Sequence, residues 1–311
     1  MILSIIIVNY NTKRLTLDCL RSIFSYLDGK ISFEVIIVDN GSRDGSKEAF
    51  REFGLARDNV HVIESDTNLG FAKGNNIGIK KSVGKQVLLL NSDTYLIDDS
   101  IIQAVRYLDS QPDVFGCGCT LLEADGSIGP SYGRFPELGV VFDEIITLHF
   151  TRLRAVVPRR PSVIRPIDFP CGAFFLIKRE LLDKVGLLDE NFFMYSEEAD
   201  LAKRAKKAGY RIVHFGPARL VHLRGKSGWD LGKTLLYDEE HRDLHIIFYR
   251  SWKRYLINHC STLEAALIEM LLSLFFKVNY LIYYLLQREK ACDQYSKELQ
   301  ALRAGWRTGA T

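Results

Sequence analysis

Short apolar runs that end abruptly in polar residues recur early in the chain, and this pattern most constrains its fold. Residues 3–8, 33–38 and 87–90 are rich in Ile, Val and Leu, which is typical of strands buried on both faces of a sheet. Segments with helical spacing of apolar residues lie between them. The alternation of strand and helix predicts an α/β fold with a mostly parallel sheet, flanked by helices and joined by right-handed crossovers.

Polar clusters follow each of these runs. In chain order they are Asn9-Tyr10-Asn11, Asp39-Asn40 and Asn91-Ser92-Asp93. Ligands of open α/β sheets bind where the strands end, so the clusters together predict a nucleotide pocket. In it Tyr10 would stack on a base, Asp39 would accept from base or ribose, and Asp93 would hold a divalent cation against phosphate. Any one cluster taken alone is explained equally well by turn chemistry.

A turn rich in Gly and Asn precedes a further predicted helix and adds Asn68, Gly70 and Lys73 to the candidate residues. A helix N-terminus that follows glycines suits an anionic ligand. The first strand is not followed by GxGxxG, and the chain has no GKS or GKT sequence. These absences argue against a Rossmann dinucleotide site and against a P-loop.

A second informative stretch begins with an apolar run at residues 168–177, predicted to be one buried strand, and continues through a short helix to FFMY and then Ser196. Ser196 is expected to cap a helix that begins with Glu197 and Glu198. Carboxylates beside aromatic rings are candidates for a general base, although an acidic first turn also simply complements the helix dipole. Asp200 is expected to face away from Glu198 and to hold the loop.

Two short strands are predicted at residues 210–215 and 218–223, and the second contains His222. This imidazole is the best candidate for a second metal ligand beside Asp93, although a single histidine is more often structural. Residues 127–166 are predicted to be an irregular binding lid. Its arginines are candidates to meet a phosphorylated acceptor, or form a solvated basic surface: Arg152, Arg154, Arg159, Arg160 and Arg165.

The totals bound the class of protein. A net charge of +3 over 311 residues is too small to indicate nucleic-acid binding. The six cysteines show no paired zinc spacing, and Cys117 and Cys119 are expected to be packed, reduced thiols. The apolar N-terminus lacks a basic leader and is better explained as a first strand than as a signal peptide. A cytoplasmic protein is therefore expected.

The C-terminal part differs in composition, and residues 263–286 are strongly apolar with one narrow polar stripe. Glu264, Glu269 and Lys277 argue against a membrane span. The segment is expected to lie on a membrane surface, to pack on the catalytic domain or to form a homodimer. The residues from Ala304 onward are expected to be disordered. The predicted division is a catalytic domain at 1–230 and a helical extension at 231–311.

Several of these segments resemble family 2 inverting glycosyltransferases of the GT-A fold, in particular bacterial rhamnosyltransferase-like enzymes of surface polysaccharide assembly. The resemblance covers roughly residues 1–230. It rests on SIIIVNYNT, VIIVDNGSRDGS, NLGFAKGNNIGI, LLLNSDT, GAFFLIKRELLDKVGLLDENFFMYSEEADL and a later VH.

The resemblance implies a nucleotide-sugar donor, Mg²⁺ or Mn²⁺, and a hydroxyl acceptor on a glycan or lipid-linked glycan. The donor expected first is dTDP-rhamnose, and UDP-sugars remain open. The family's Asp-X-Asp motif falls on Asn91-Ser92-Asp93, which leaves Asp93 as the one carboxylate for the metal. The family's acid pair falls on Glu197-Glu198 and makes Glu198 the expected base, with Glu197 as the alternative. The family's histidine falls on His222, and its base-binding aspartate falls on Asp39.

Two other functions remain open from the sequence. A nucleotidyltransferase would share the nucleotide-binding sheet and the metal carboxylates, but it would be expected to carry a Gly-rich phosphate loop after the first strand, where this chain has Asn9-Tyr10-Asn11-Thr12. An inactive sugar-nucleotide-binding scaffold would explain the asparagine that replaces the first metal acid, Asn91.

Overall fold

The computed structural model describes residues 1–146, 155–158, 160–223 and 242–307. The strands are β1 (Leu3–Asn9), β2 (Phe33–Asn40), β3 (Val60–Ser65), β4 (Gln86–Leu90), β5 (Thr94–Leu96), β6 (Val114–Leu122), β7 (Tyr132–Gly133), β8 (Ala155–Val156), β9 (Ile164–Pro166), β10 (Phe169–Pro170), β11 (Phe174–Lys178) and β12 (Arg211–His222). The helices are α1 (Lys13–Leu27), α2 (Ser46–Leu55), α3 (Phe71–Lys81), α4 (Ser100–Ser110), α5 (Leu138–Ile146), α6 (Arg179–Val185), α7 (Glu197–Lys207), α8 (Arg242–His259), α9 (Thr262–Leu285) and α10 (Glu289–Arg307).

The main sheet has the strand order β3-β2-β1-β4-β11-β6-β12-β5, with β9 paired to β12. The strands β3, β2, β1 and β4 are parallel, as the alternating sequence pattern predicts. Because β1 lies between β2 and β4, the polar residues that follow these three strands meet at one edge of the sheet. The register pairs Asn9 directly with Asp39.

The predicted strand at 168–177 is wrong in one respect, because the chain breaks in its middle. β10 belongs to a small sheet of order β10-β7-β8, whereas β11 lies antiparallel to β4 in the main sheet. Pro170 has no N–H to offer a ladder, and the Cys171 N–H instead donates to the Ser131 carbonyl at 3.0 Å. The turn at residues 171–173 joins the two strands.

Other predicted elements need smaller corrections. Residues 211–222 form one strand with an irregularity between Phe215 and Arg219, where two strands were predicted. The segment 127–166 is not wholly irregular, since it contains β7, α5, β8 and β9. The C-terminus is ordered further than predicted: α10 reaches Arg307, and Trp306 is only 7% exposed.

Ser196 is the residue before α7, but its side chain makes no capping hydrogen bond and its φ is +67°. The prediction of a serine cap is therefore wrong, because a left-handed residue at this point does not aim its hydroxyl at the free N–H groups of the first turn. Thr12 likewise precedes α1 without a capping hydrogen bond from its side chain. Its hydroxyl is used in the network described below.

Hydrophobic side chains fill both faces of the sheet. One face buries Cys117 and Cys119, which confirms their predicted role as packed thiols. On the other face, one continuous cluster joins Leu201 of α7 to Trp252 of α8 and Leu302 of α10. The C-terminal helices therefore share a core with the helix that carries the acid pair.

Within the described residues, α9 is the one helix long and apolar enough to cross a membrane by length and composition. Only 17% of its most apolar 18-residue segment is buried. One face packs inward through Ile268, Leu272 and Phe276.

Candidate active site

The turns after β1 and β2 are joined by buried hydrogen bonds. Asn9 donates through Nδ2 to Asp39 Oδ2 at 2.8 Å and to Ser42 Oγ at 2.9 Å. The Ser42 N–H donates to the other Asp39 oxygen at 3.0 Å. Asn9 and Asp39 have no exposed surface. These contacts fix the positions of both side chains at the C-terminal ends of β1 and β2.

The same network reaches the turn after β4. The Thr12 hydroxyl donates to Asn9 Oδ1 at 2.8 Å and lies 3.0 Å from Ser92 Oγ. Thr16 also donates to Asn9 Oδ1, at 2.8 Å. The structure thus brings together the three polar clusters that the sequence singles out. Thr12 and Ser42 were not predicted to contribute, and the only sequence signal for them is their position beside those clusters.

Tyr10, Asn11 and Lys73 are the exposed members of the predicted nucleotide-binding set, and Tyr10 is 46% exposed. Asn11 adopts a φ of +53°, and its side-chain oxygen accepts from the Arg43 N–H at 2.8 Å. Tyr10 thus lies directly after the C-terminal end of β1, where its ring is exposed and can contact a ligand.

Asn40, Asn68 and Gly70 form a structural turn. Asn40 Nδ2 donates to Asn68 Oδ1 at 2.9 Å and to the Gly70 carbonyl at 3.1 Å. Gly70 has a φ of +85°, and a Cβ there would lie 2.5 Å from the Phe193 carbonyl oxygen. That carbonyl accepts from the Phe71 N–H at 2.6 Å. The start of α3 therefore contacts the loop that leads to the acid pair.

Asp93, in the turn before β5, and His222, the last residue of β12, have adjacent side chains. His222 Nε2 is 3.3 Å from Asp93 Oδ1, and their side chains are 9% and 1% exposed. His222 pairs with Thr94 in the antiparallel ladder of β12 and β5, and the Leu223 N–H donates to the Asp93 carbonyl at 2.9 Å. Backbone pairing between strands far apart in sequence therefore creates this proximity.

A divalent cation is the group that the resemblance implies at this position. A carboxylate and an imidazole suit Mn²⁺ and, with phosphate oxygens and water as further ligands, also Mg²⁺. His222 Nδ1 is buried and has no hydrogen-bond partner within the described ranges. Those same ranges contain no group of three or more His, Cys, Asp and Glu residues placed to bind a metal. The two residues present fit a cation that also binds the diphosphate of a donor.

The acid pair at the start of α7 has two unlike members. Glu197 is 3% exposed, whereas Glu198 is half-buried. Burial, followed by the neighbouring charge of Glu198, raises the pKa of Glu197 well above its usual value of 4.5. The ionised form of Glu197 is therefore disfavoured, and Glu198 is the less buried residue of the pair.

The turn at 171–173 connects the acid pair to the cluster after β4. A Cβ on Gly172 would lie 3.6 Å from Glu198 Oε1. The next residue, Ala173, accepts through its carbonyl from the Asn91 N–H at 3.1 Å. Glu198 and the Asn91–Asp93 cluster thus flank the same short stretch of backbone. Sequence reasoning missed Gly172, although Pro-Cys-Gly inside an apolar run is a signal for a break.

Helix α8 braces the loop before the acid pair. Ser251 Oγ donates to the Met194 carbonyl at 2.7 Å, and the Phe248 ring lies 6.0 Å from that of Tyr195. Both Tyr195 and Ser196 have positive φ, at 73° and 67°. Such left-handed backbone costs free energy in non-glycine residues and needs support from its surroundings.

Asp200 anchors α7 from its far side, as expected. Its carboxylate accepts from Arg204 Nε at 2.8 Å and lies 2.8 Å from His259 Nε2. Arg204 in turn donates to the Val185 and Leu187 carbonyls at 2.9 and 2.7 Å. Burial acts to raise the pKa of Asp200, but the hydrogen bond from His259 and the charge of Arg204 outweigh it and lower that pKa.

The predicted arginine lid is described only in part. Arg152, Arg154 and Arg159 lie outside the described residues. Arg165 belongs to β9, where it pairs with His214, and Arg160 is exposed.

The family model for glycosyl transferase family 2 matches residues 4–186. The chain belongs to this family. It is 37% identical over 210 residues to glycosyltransferase AglE of Haloferax volcanii, with 68% of this chain and 63% of that protein covered. It is 27% identical over 215 residues to an N-acetylglucosaminyl-diphospho-decaprenol L-rhamnosyltransferase of Mycobacterium tuberculosis, with 62% and 67% covered. The chain thus spans about two thirds of the length of these relatives.

The fold is that of the GT-A glycosyltransferases. A structure of the mannosyltransferase PcManGT from Pyrobaculum calidifontis, in complex with GDP-Man and Mn²⁺, superposes with a TM-score of 0.56 at 16% identity. The match covers 99% of this chain and 76% of that one. The resemblance drawn from the sequence is therefore confirmed for family, enzyme class and fold. The chain is therefore an enzyme of the glycosyltransferase class, which sets the nucleotidyltransferase alternative aside.

Proposed function

We propose that this enzyme transfers a sugar from a nucleotide-sugar donor to a hydroxyl of a glycan or lipid-linked glycan, with inversion and with a divalent cation. The proposal is supported above all by the position of Glu198, which flanks residues 171–173 together with the Asn91–Asp93 cluster. An acceptor between these groups has a base on one side and the donor's diphosphate on the other.

The reaction needs one proton removed and one leaving group stabilised. Glu198 accepts the proton of the acceptor hydroxyl as its oxygen attacks the anomeric carbon. The bond from that carbon to the nucleoside diphosphate breaks with its electron pair on the diphosphate, and the anomeric centre inverts. Asp93 and His222 would hold Mg²⁺ or Mn²⁺, which supplies positive charge beside the diphosphate.

The two glutamates have separate roles in this scheme. Burial raises the pKa of Glu197 and so disfavours its ionised form, and we assign the role of proton acceptor to the less buried Glu198. Tyr10 and Lys73 are proposed to contact the base and the phosphates, with Asn9, Asn11, Asp39, Asn40, Asn68, Gly70, Asn91 and Ser92 shaping the donor pocket.

The base assignment is tested by Glu198→Gln, with Glu197→Gln as its matched control. We expect Glu198→Gln to lower turnover by ~10²-fold or more while donor binding changes little, because only the proton acceptor is lost. Glu197→Gln imitates the protonated side chain and should keep turnover within about tenfold of wild type. Steady-state release of nucleoside diphosphate measures both. The reverse order of effects would make Glu197 the base.

The donor and the metal are tested in one screen. dTDP-rhamnose is the first candidate, because one relative is a rhamnosyltransferase, and UDP-sugars follow. A true donor present with Mn²⁺ at ~100 times its dissociation constant should stabilise the protein by ~2.7 kcal/mol, and Asp93→Asn should abolish the metal-dependent part of this shift.

An inactive scaffold is the second candidate, favoured by Asn91 where the family motif has an acid. It would bind a nucleotide sugar in the same thermal-shift experiment yet release no nucleoside diphosphate with or without EDTA.

A further inference from the structure

Helix α9 carries an exposed apolar stripe along its whole length. At about 100° per residue, six of its side chains fall within an arc of about 80°, and the 24-residue helix is about 36 Å long. Their exposed fractions are 71, 56, 54, 45, 55 and 70% for Leu263, Met270, Leu274, Val278, Leu281 and Leu285. We call these six residues the α9 stripe. Its opposite face is the one that packs into the core.

The apolar surface widens at the C-terminal end of the helix. Ile282, Tyr284 and Leu286 are 45, 63 and 61% exposed, so the apolar arc there reaches about 200°. Within the last turns Tyr283 points inward and stacks on Tyr295 with ring centroids 5.4 Å apart. A partner helix would cover a stripe of roughly 100°. A fluid apolar phase covers the wider arc, which favours lipid over a second copy of this chain.

Exposed cations accompany the apolar end. Lys277 lies on α9, and Arg288 and Lys290 follow it at the turn into α10. Within the part of the chain that the structure describes, none of the three forms an ion pair. Arg288 and Lys290 line an open cleft of about 720 Å³ whose one acid is Glu289. This excess of positive charge suits the phosphates of anionic lipids.

The packing of α9 argues for lying on a membrane rather than crossing it. Its inner face contacts α10 through Phe276 and Tyr295, whose rings are 6.5 Å apart. A spanning α9 would carry α10 into the hydrocarbon with it. α10 has Glu289, Lys290, Asp293 and Lys297 within its first three turns, and charges at that depth are costly.

We propose that the α9 stripe docks this protein in the plane of a bilayer that contains anionic phospholipids. Docking there would bring the active site to a lipid-linked acceptor, and this purpose rests on the proposed function. The start of α9 contacts the segment predicted as a lid, because the Leu138 N–H of α5 donates to Glu264 Oε1 at 3.2 Å. α5 also exposes 53% of Phe142. Docking along α9 would thus hold α5 at the lipid surface.

The test is sedimentation of the full chain with vesicles of phosphatidylcholine, with and without about 30% phosphatidylglycerol. We expect binding to the anionic vesicles. The double variant Leu281→Glu/Leu285→Glu should lower the partition coefficient of the protein between water and vesicles about tenfold or more, because two carboxylates would enter the interface. Leu55→Glu is the matched control, since Leu55 is 88% exposed on α2. It should bind as wild type does.

A second pair of variants removes charge without touching the apolar stripe. Arg288→Ala/Lys290→Ala should cost about tenfold in binding to anionic vesicles and should reduce its salt dependence. Lys81→Ala/Arg106→Ala removes the same charge from exposed sites elsewhere and should leave binding unchanged. This arm keeps the test decisive if the glutamate variants fold poorly.

Four results would overturn the proposal. The first is no vesicle binding by wild type, and the second is vesicle binding that neither Leu281→Glu/Leu285→Glu nor Arg288→Ala/Lys290→Ala weakens. The third is resistance to alkaline carbonate extraction, which marks a spanning helix. The fourth is a dimer that Leu281→Glu/Leu285→Glu dissociates while vesicle binding persists. Release of nucleoside diphosphate by donor hydrolysis in the absence of lipid is measured separately. If wild type released no nucleoside diphosphate, the proposed function would be refuted, but the membrane-binding result would still hold.

Discussion

Glu197 and Glu198 are neighbours in sequence, yet their environments differ enough to separate their chemistry. Glu197 is buried beside a second carboxylate, so its ionised form is disfavoured, whereas Glu198 faces the turn at 171–173. The less buried Glu198 is the proposed proton acceptor. The exposure difference, which depends on packing, assigns the two roles.

The raised pKa of Glu197 predicts a pH-dependent stability difference. Its folded pKa lies above the usual 4.5, so its contribution to stability is fully present below about pH 4.5 and is lost as the pH rises through the folded pKa. Glu197→Gln lacks this loss. We expect its Tm relative to wild type to rise between pH 5 and pH 8. A Tm difference that falls or stays flat over this range would contradict the raised pKa.

Gly70 makes a second prediction at the residue scale, with Gly29 as its control. Both have positive φ, at 85° and 69°, but a Cβ on Gly29 meets no atom within 4 Å, whereas one on Gly70 would meet the Phe193 carbonyl at 2.5 Å. Gly29→Ala should therefore show only the backbone cost of about 1 kcal/mol. Gly70→Ala should cost more, by about 1–3 kcal/mol, and should lower kcat by displacing the loop before Glu198. Urea unfolding and turnover measure these effects, and equal results for the two variants would refute the contact.

At the scale of elements, α7 is held at its N-terminal end by two other helices. The loop before it contacts α3 through Phe193 and α8 through Met194, and Asp200 in its first turn binds α8. Since α8 lies far along the chain, the acid pair is positioned by a helix that lies outside the residues matched by the family model. We regard His259 and Ser251 as positioning residues.

His259→Ala tests this brace, and Ile257→Ala on the same helix is the control, since Ile257 is 48% exposed. Loss of a hydrogen bond to the buried Asp200 carboxylate should cost about 1.5–3 kcal/mol. We also expect kcat to fall several-fold while the KM for donor changes little, because α7 moves but the nucleotide pocket does not. A stability loss with unchanged kcat would limit His259 to a structural role.

At the scale of the whole molecule, the C-terminal helices complete the core. Trp252, Tyr249 and Tyr255 of α8 are at most 1% exposed and belong to the same cluster as Leu201 of α7. Whether the chain divides at residue 230 into two functional parts remains a prediction. Separating the two parts there should lower the stability of the protein, because one hydrophobic cluster contains residues from both sides.

Truncated chains test how much the C-terminal helices contribute to stability. A chain ending at residue 241 would expose several aromatic side chains and should lose on the order of 5 kcal/mol or more of stability, whereas a chain ending at residue 307 should unfold as wild type does. Circular dichroism melting and size-exclusion chromatography distinguish the outcomes. A well-folded, active 1–241 chain would show that the helices are a separate extension.

The sequence alone determined the strand and helix alternation, the parallel half of the sheet and the three polar clusters at its edge, because these follow from local periodicity and turn chemistry. It also sufficed for the family resemblance. The proximity of His222 to Asp93, the break at Gly172 and the support of α7 by α8 were decided only in the tertiary structure. Each depends on pairing or packing between segments far apart along the chain, for which local residue patterns carry no signal.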